Sequence, residues 1–246
     1  MDNIKERLKA VKDEIRDTAI KYGRNTEEIT LIAVSKKKSV ETILSAINSG
    51  IETLGENYIQ EAVEKIEAIN QIFVEQTNNL DRNLISTDKK AIWHFIGHLQ
   101  SNKAKIAVKY FDLIHTVDSL KLAQEIDRQA EKIGKIQNIL IQINISEEET
   151  KSGTDAEDAI CLAESISHLK FVALKGLMGM PPFFDEPEMA RPYFRKLAKI
   201  KDIIKRKAIP KIYMEELSMG MSGDFKVAIE EGSTMVRIGT SIFGSR

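Results

Sequence analysis

Lys36 stands where four apolar residues, Leu31-Ile32-Ala33-Val34, give way through Ser35 to three consecutive lysines. An uninterrupted apolar run of this length reads as a strand buried on both faces. A lysine at the end of such a strand can sit in a half-dry pocket, where desolvation disfavours the ammonium and leaves the amine as a nucleophile. A Schiff base to an aldehyde requires that chemistry. Lys37 and Lys38 read as solvated loop residues. Taken alone, Lys36 would read the same way, because lysines are exposed as a rule. The rest of the chain reverses that reading.

A second chemical candidate lies near the C-terminus. Ser218 to Asp224 combines small residues and hydroxyls ahead of a helical pattern, and Gly239-Thr240 supplies another small turn. Backbone N–H groups at a helix start, joined by hydroxyls, bind a phosphate without a cationic side chain. Each glycine alone reads as a turn residue; the set together reads as a cradle. The histidines carry less. His94 and His98 are four apart, a metal-ligand spacing on a helix, but Trp93 to Ile96 reads as a strand, where that spacing does not converge. No third ligand is evident, so no metal is expected. His115 and His168 read as structural or solvated residues at element ends. The triplet Asn144-Ile145-Ser146 ends a buried-looking strand and is set aside as a glycosylation site.

The elements that must position these residues alternate. Strands are expected near 29–35, 52–55, 92–96, 112–117, 138–145, 171–178, 213–218 and 235–238. Helices are expected near 40–49, 57–68, 101–108, 119–132, 155–168, 188–206 and 224–231. An amphipathic helix over 3–22 precedes them, with Ile4, Leu8, Val11, Ile15 and Ala19 on one face. Asn3 with Glu6 resembles its capping box, and Gly23 ends it. Asp118 or Ser119 caps the helix over 119–132, and Gly134 closes it. Repeated strand–helix alternation argues a parallel sheet, and eight strands permit closure into a barrel. An open doubly wound sheet is the alternative, but no Gly-x-Gly-x-x-Gly follows the first strand. The expectation is a single α/β domain over 1–246, a (β/α)8 TIM barrel with an extra N-terminal helix. In a barrel the working face is the C-terminal end of the strands, and closure would set the turns after strands seven and eight side by side. Residues 70–91 read as a long polar loop. Pro187 and Pro192 cannot both occupy the first turn of one helix, so its start is left open between them.

Composition excludes several classes. A net charge of −1 gives no general attraction to nucleic acid or acidic membranes. No apolar run approaches the roughly 18 residues of a membrane span, and the charged N-terminus is unlike a signal peptide. Cys161 is the only cysteine, which leaves no intrachain disulfide and suits a reducing, cytoplasmic setting.

The strings Ala-Val-Ser-Lys (33–36), Gly-Glu-Asn-Tyr (55–58), Trp-His-Phe-Ile-Gly (93–97), Leu-Gln-Ser-Asn-Lys (99–103), Lys-Ser-Gly (151–153), Leu-Ser-Met-Gly-Met-Ser (217–222) and Val-Arg-Ile-Gly-Thr-Ser-Ile-Phe-Gly (236–244) follow one another in a telling order. From Leu31 to Gly244 the chain resembles the pyridoxal phosphate homeostasis proteins of the YggS/PROSC type. The resemblance implies the alanine racemase barrel and pyridoxal 5′-phosphate (PLP) as cofactor. It makes Lys36 the lysine of the internal aldimine and sets Arg237 against the pyridine nitrogen. Ser218, Gly239 and Thr240 become the phosphate cradle, with Met219 and Ser222 nearby, while Asn57 and His94 lie beside the cofactor. Lys37 departs from a position where the family often has threonine, and the 70–91 loop looks longer than usual.

The resemblance implies a carrier that buffers or delivers PLP, with apo-enzymes as possible partners, no catalytic residues, and a monomeric state. Racemases of this fold add a β-domain and dimerise, and the chain ends two residues past the last motif, with no room for that domain. An arginine at the pyridine nitrogen also disfavours its protonation and weakens the cofactor as an electron sink. A PLP-dependent amino acid racemase completed by self-association is the alternative. A cofactor-free scaffold in which Lys36 is incidental would make the cradle a coincidence.

Overall fold

A computed structural model of the chain describes residues 4–78, 91–146 and 153–244. Eight parallel strands close into a barrel in chain order, with β8 returning to pair with β1. They are β1 (Thr30–Val34), β2 (Thr53–Glu56), β3 (Ile92–Phe95), β4 (Leu113–Val117), β5 (Gln137–Ile143), β6 (Val172–Gly179), β7 (Ile212–Met221) and β8 (Met235–Ile238). The expected (β/α)8 barrel is therefore present. So is the additional helix in front, α1 (Ile4–Lys21).

Side chains alternate across each strand, and the alternation separates two cores. Ile32, Leu113, Leu140, Met178 and Met235 form one cluster inside the barrel. Their neighbours in sequence, among them Ala33, Ile114, Ile139, Ile141, Leu177 and Val236, belong to a second core between strands and helices. Each fully buried Ile, Leu or Met contributes about 1.5–3 kcal/mol. Two residues beyond Leu113 comes His115, and two beyond Met235 comes Arg237, so both side chains also face inward. His94 lies between the outward Trp93 and Phe95, and Ser218 between the outward Leu217 and Met219. A polar layer thus caps the apolar plug on the C-terminal side.

The crossover helices are α2 (Val40–Asn48), α3 (Ile59–Asn78), α4 (Ala104–Tyr110), α5 (Leu120–Lys132), α6 (Ala156–Ile166), α7 (Arg191–Arg206) and α8 (Phe225–Glu230), and α9 (Thr240–Phe243) follows β8. The apolar stripe of α1 is buried, and the helix packs on the outside of the barrel against α2, α8 and α9. Gly23, at φ 68°, ends it as expected. Ser119 caps α5 by accepting from the Leu122 N–H.

Three expectations are corrected or refined. The loop expected from residue 70 does not begin there, because α3 continues to Asn78. Ile69 is buried and Phe73 packs on the core, extending the Ile59, Ala62, Ile66 face that the intervening polar residues obscured. The proline conflict resolves into two starts. Pro187 opens a 3-10 turn (Pro187–Ala190), and Pro192 occupies the first turn of α7, each where no intrahelical N–H is needed. β7 runs on to Met221, past the expected end at 218. The remainder of the expected loop, 79–90, lies outside the described residues, as do Asn3, Lys151 and Ser152. Among the described residues no helix is long and apolar enough to cross a membrane.

Candidate site at the C-terminal mouth of the barrel

The polar layer is a chain of hydrogen bonds that links side chains on four strands and a carbonyl on a fifth. Arg237 Nη1 donates to Ser218 Oγ at 2.6 Å, and Nη2 to the Gly179 carbonyl at 3.2 Å. Ser218 Oγ meets His115 Nδ1 at 3.0 Å, and His115 Nε2 meets His94 Nδ1 at 3.1 Å. Burial lowers Arg237 to about 10, with Asp224 opposing the shift, so the guanidinium stays charged at neutral pH. Burial lowers His94 to about 4. His115 lies well below the usual histidine value, through burial first and then the neighbouring His94 and Arg237. Both rings are neutral at pH 7.

This predicts an acid-labile fold. A histidine held neutral when folded takes up its proton more readily when unfolded, so stability is complete above the ordinary value of 6.5 and falls as pH drops towards about 4. For His94 the loss across that window is about 3 kcal/mol. Urea unfolding of wild type and His94→Gln between pH 7 and 4 should show a shallower slope in the variant. Parallel slopes would remove His94 from the account.

Lys36 is half-buried in the turn that follows β1. Its backbone is held on both sides by one ionic cluster. Lys65 of α3 directs its three donors to the Ser35 carbonyl at 2.8 Å, Glu56 at 2.8 Å and Glu61 at 2.6 Å. The Lys37 N–H donates to the Glu61 carboxylate, with Lys37 itself in the left-handed region at φ 60°. Ser35 Oγ donates to Glu56 Oε1 at 2.7 Å. Glu56 is 0% exposed and Lys65 6%. Burial raises the Glu56 carboxyl, against the pull of Lys65 and Ser35. The i, i+4 pair Glu61–Lys65 is visible in the sequence. Its grip on Lys36 is not, because that depends on Lys65 of α3 reaching the Ser35 carbonyl 30 residues away. Lys37 is exposed as expected, but Lys38 reaches the end of α9 and donates to the Phe243 carbonyl at 3.2 Å.

The other expected residues separate by role. Asn57 Oδ1 is buried with no hydrogen-bond partner among the described residues. Its backbone is pressed against Gly97, where a Cβ would lie 2.0 Å from the Asn57 carbonyl oxygen. Thr116 Oγ1 fixes that second loop through the Gly97 carbonyl at 2.6 Å. The hydroxyl of Ser218, expected in a phosphate cradle, is 0% exposed and engaged by Arg237 and His115. Met219 points its side chain into the outer core. Ser222 Oγ accepts from the Gly239 N–H at 3.3 Å and ties the loop after β7 to the loop after β8, beside the exposed Thr240. Gly220, at φ 92°, lets that loop close on α8, since a Cβ there would lie 2.6 Å from Ala228 Cβ. His115 was missed at the sequence level. A histidine two residues beyond an inward Leu113 was the available signal.

The chain matches the family profile described as "Alanine racemase, N-terminal domain" over residues 7–246. It is 42% identical over 246 residues to a pyridoxal phosphate homeostasis protein of Vibrio alginolyticus, covering 100% of this chain and 99% of that one. The chain belongs to the pyridoxal phosphate homeostasis proteins, within the alanine racemase N-terminal-domain family. Among solved structures of this group, PipY of Synechococcus elongatus PCC7942 with PLP bound is 32% identical, with a TM-score of 0.78 over 98% of this chain and 100% of that one. Alanine racemase of Clostridium difficile 630, in complex with cycloserine, shares the fold at 17% identity and a TM-score of 0.69, over 100% of this chain and 60% of that one.

Proposed function

We propose that the chain binds PLP reversibly as an aldimine of Lys36 and serves intracellular PLP homeostasis, buffering or delivering the cofactor without appreciable catalysis. It acts as a single 1–246 domain and a cytoplasmic monomer, with apo-enzymes as the recipients. The observation that carries this reading is the placement of Lys36, on fixed backbone in the turn after β1, at the end of a strand that pairs with β8 and its buried cation Arg237, in a chain 32% identical to a relative solved with PLP. When bound, PLP supplies an aldehyde with which an amine condenses, releasing water. The protein's own residues do the rest. Lys36 offers the amine, and the Glu56–Glu61–Lys65 cluster fixes the backbone from which it projects. The unsatisfied Asn57 Oδ1 and the inward His94 fit a polar ligand beside them. Ser222, Gly239 and Thr240 take the phosphate, with Met219 supplying backbone to the same loop. Ser218 contributes by holding Arg237.

Arg237 also bears on catalysis. A guanidinium has donors only, so against a pyridine nitrogen it leaves that nitrogen unprotonated, and the ring draws electrons weakly. Slow loss of an α-proton follows, which favours a carrier over a racemase. The test is to load the purified protein with PLP, follow transfer to an apo-enzyme, and assay alanine racemisation in parallel. Transfer with α-hydrogen exchange barely above that of free PLP is expected. Sustained racemase turnover abolished by Lys36→Ala would overturn the reading.

A further inference from the structure

Arg237 can only donate, and this sets the direction of every hydrogen bond linked to it. Its Nη1 gives a hydrogen to Ser218 Oγ. The Ser218 hydroxyl has one hydrogen of its own, and its other partner among the described residues is His115 Nδ1. Were His115 to donate to Ser218 instead, the serine hydrogen would have no acceptor in a fully buried setting, where an unmade bond costs more than a made one gains. Ser218 therefore donates to His115 Nδ1. That nitrogen must be bare, which puts the His115 proton on Nε2. Nε2–H then donates to His94 Nδ1, and His94 in turn must carry its proton on Nε2. Both rings are neutral, so each has a single N–H to place. Exposure along the chain is 4% at Arg237, 0% at Ser218 and His115, and 6% at His94. Only its two ends retain any exposure, and its middle is sealed.

We propose that the Arg237–Ser218–His115–His94 chain locks His94 as an Nε2–H donor at the barrel mouth, so that the site takes a ligand with a hydrogen-bond acceptor at that point. His115 and Ser218 are positioning residues that act through His94. The ligand clause rests on the PLP reading above: aldehyde, phenolic oxygen and phosphate are all acceptors, whereas an N–H or O–H edge would meet a donor it cannot pair with. The tautomer clause concerns the protein alone.

The experiment has two arms. Long-range proton–nitrogen NMR of the imidazoles, on ligand-free wild type at pH 7 with assignments from single His→Gln variants, should show His94 and His115 both protonated at Nε2 and bare at Nδ1. A proton on Nδ1 of either ring overturns the proposal. Ser218→Ala should mix the tautomers and Ser218→Thr should preserve them; unmixed rings in Ser218→Ala would overturn the part given to Ser218. In the second arm PLP is titrated into wild type, His94→Leu and His94→Gln. Loss of one neutral hydrogen bond should weaken the leucine variant about tenfold, with glutamine close to wild type. Equal affinity of leucine variant and wild type overturns the donor role. Failure of wild type to bind PLP overturns the functional reading and the ligand clause, while the tautomers stand on the first arm.

Discussion

Lys36→Ala should abolish the visible absorbance that the wild-type protein acquires with PLP, and with it all borohydride-stable labelling. Neither Lys37 nor Lys38 can substitute. Lys37 is exposed, lies in the left-handed region and is tied through its N–H to Glu61. The Lys38 amine is directed to the carbonyl at the end of α9. Borohydride reduction of the loaded wild type followed by peptide mapping should recover the label on Lys36. Label on Lys37 or Lys38 would show that the strand end presents a different amine. The fold should survive the change, because the Lys36 side chain belongs to neither core cluster.

Lys65→Met should destabilise the protein by about 3–5 kcal/mol, the typical cost of removing one partner of a buried ion pair. The methionine fills the space but leaves the Ser35 carbonyl, Glu56 and Glu61 without their shared donor. Glu56 is fully buried and its carboxyl is already raised by burial, so it relieves the unpaired charge by taking a proton. A second substitution, Glu56→Gln, should therefore restore part of the stability that Lys65→Met removes. Chemical denaturation of the two single variants and the double variant reads this coupling directly. Additive losses would mean that Lys65 does not act through Glu56. PLP affinity offers a second reading, since the same cluster pins the backbone on both sides of Lys36. A Lys65→Met protein that folds should bind PLP more weakly while still carrying it on Lys36.

The mouth of the barrel sets the fixed backbone around Lys36 beside a polar network on the neighbouring strands. On the β1–β2 side, one buried lysine satisfies three acceptors and leaves Lys36 projecting from fixed backbone. On the β7–β8 side, Ser222 joins two loops through the Gly239 N–H, and Arg237 is held by a hydroxyl and a carbonyl. A site with both halves preset loses little entropy on binding. The proposed carrier function also requires release, and the partial exposure of Lys36 gives water access to the proposed bond.

The sequence by itself determined what depends on local pattern. The unbroken apolar run 31–34 marked a buried strand and set Lys36 at its end. Eight strands alternating with helices implied barrel closure, and Gly23, Ser119 and Gly134 marked helix ends because caps are short-range devices. Where local signals mixed, as in the polar residues around Ile69 and Phe73, the helix α3 was read too short. Tertiary structure alone decided the contacts between distant strands. His115 and Ser218 are 103 residues apart, and Lys65 and Ser35 are 30 apart. Neither neighbourhood identifies the distant partner, and both residue types are ordinarily solvated. Closure of the barrel removes water from His94, His115, Ser218 and Arg237 together, and in that dry layer each polar group must find a partner among the others. The same closure engages Ser218, expected in a phosphate cradle, with Arg237 and His115. Its chemistry followed from which face of β7 it occupies, and that face is defined only once the strands on either side are in place.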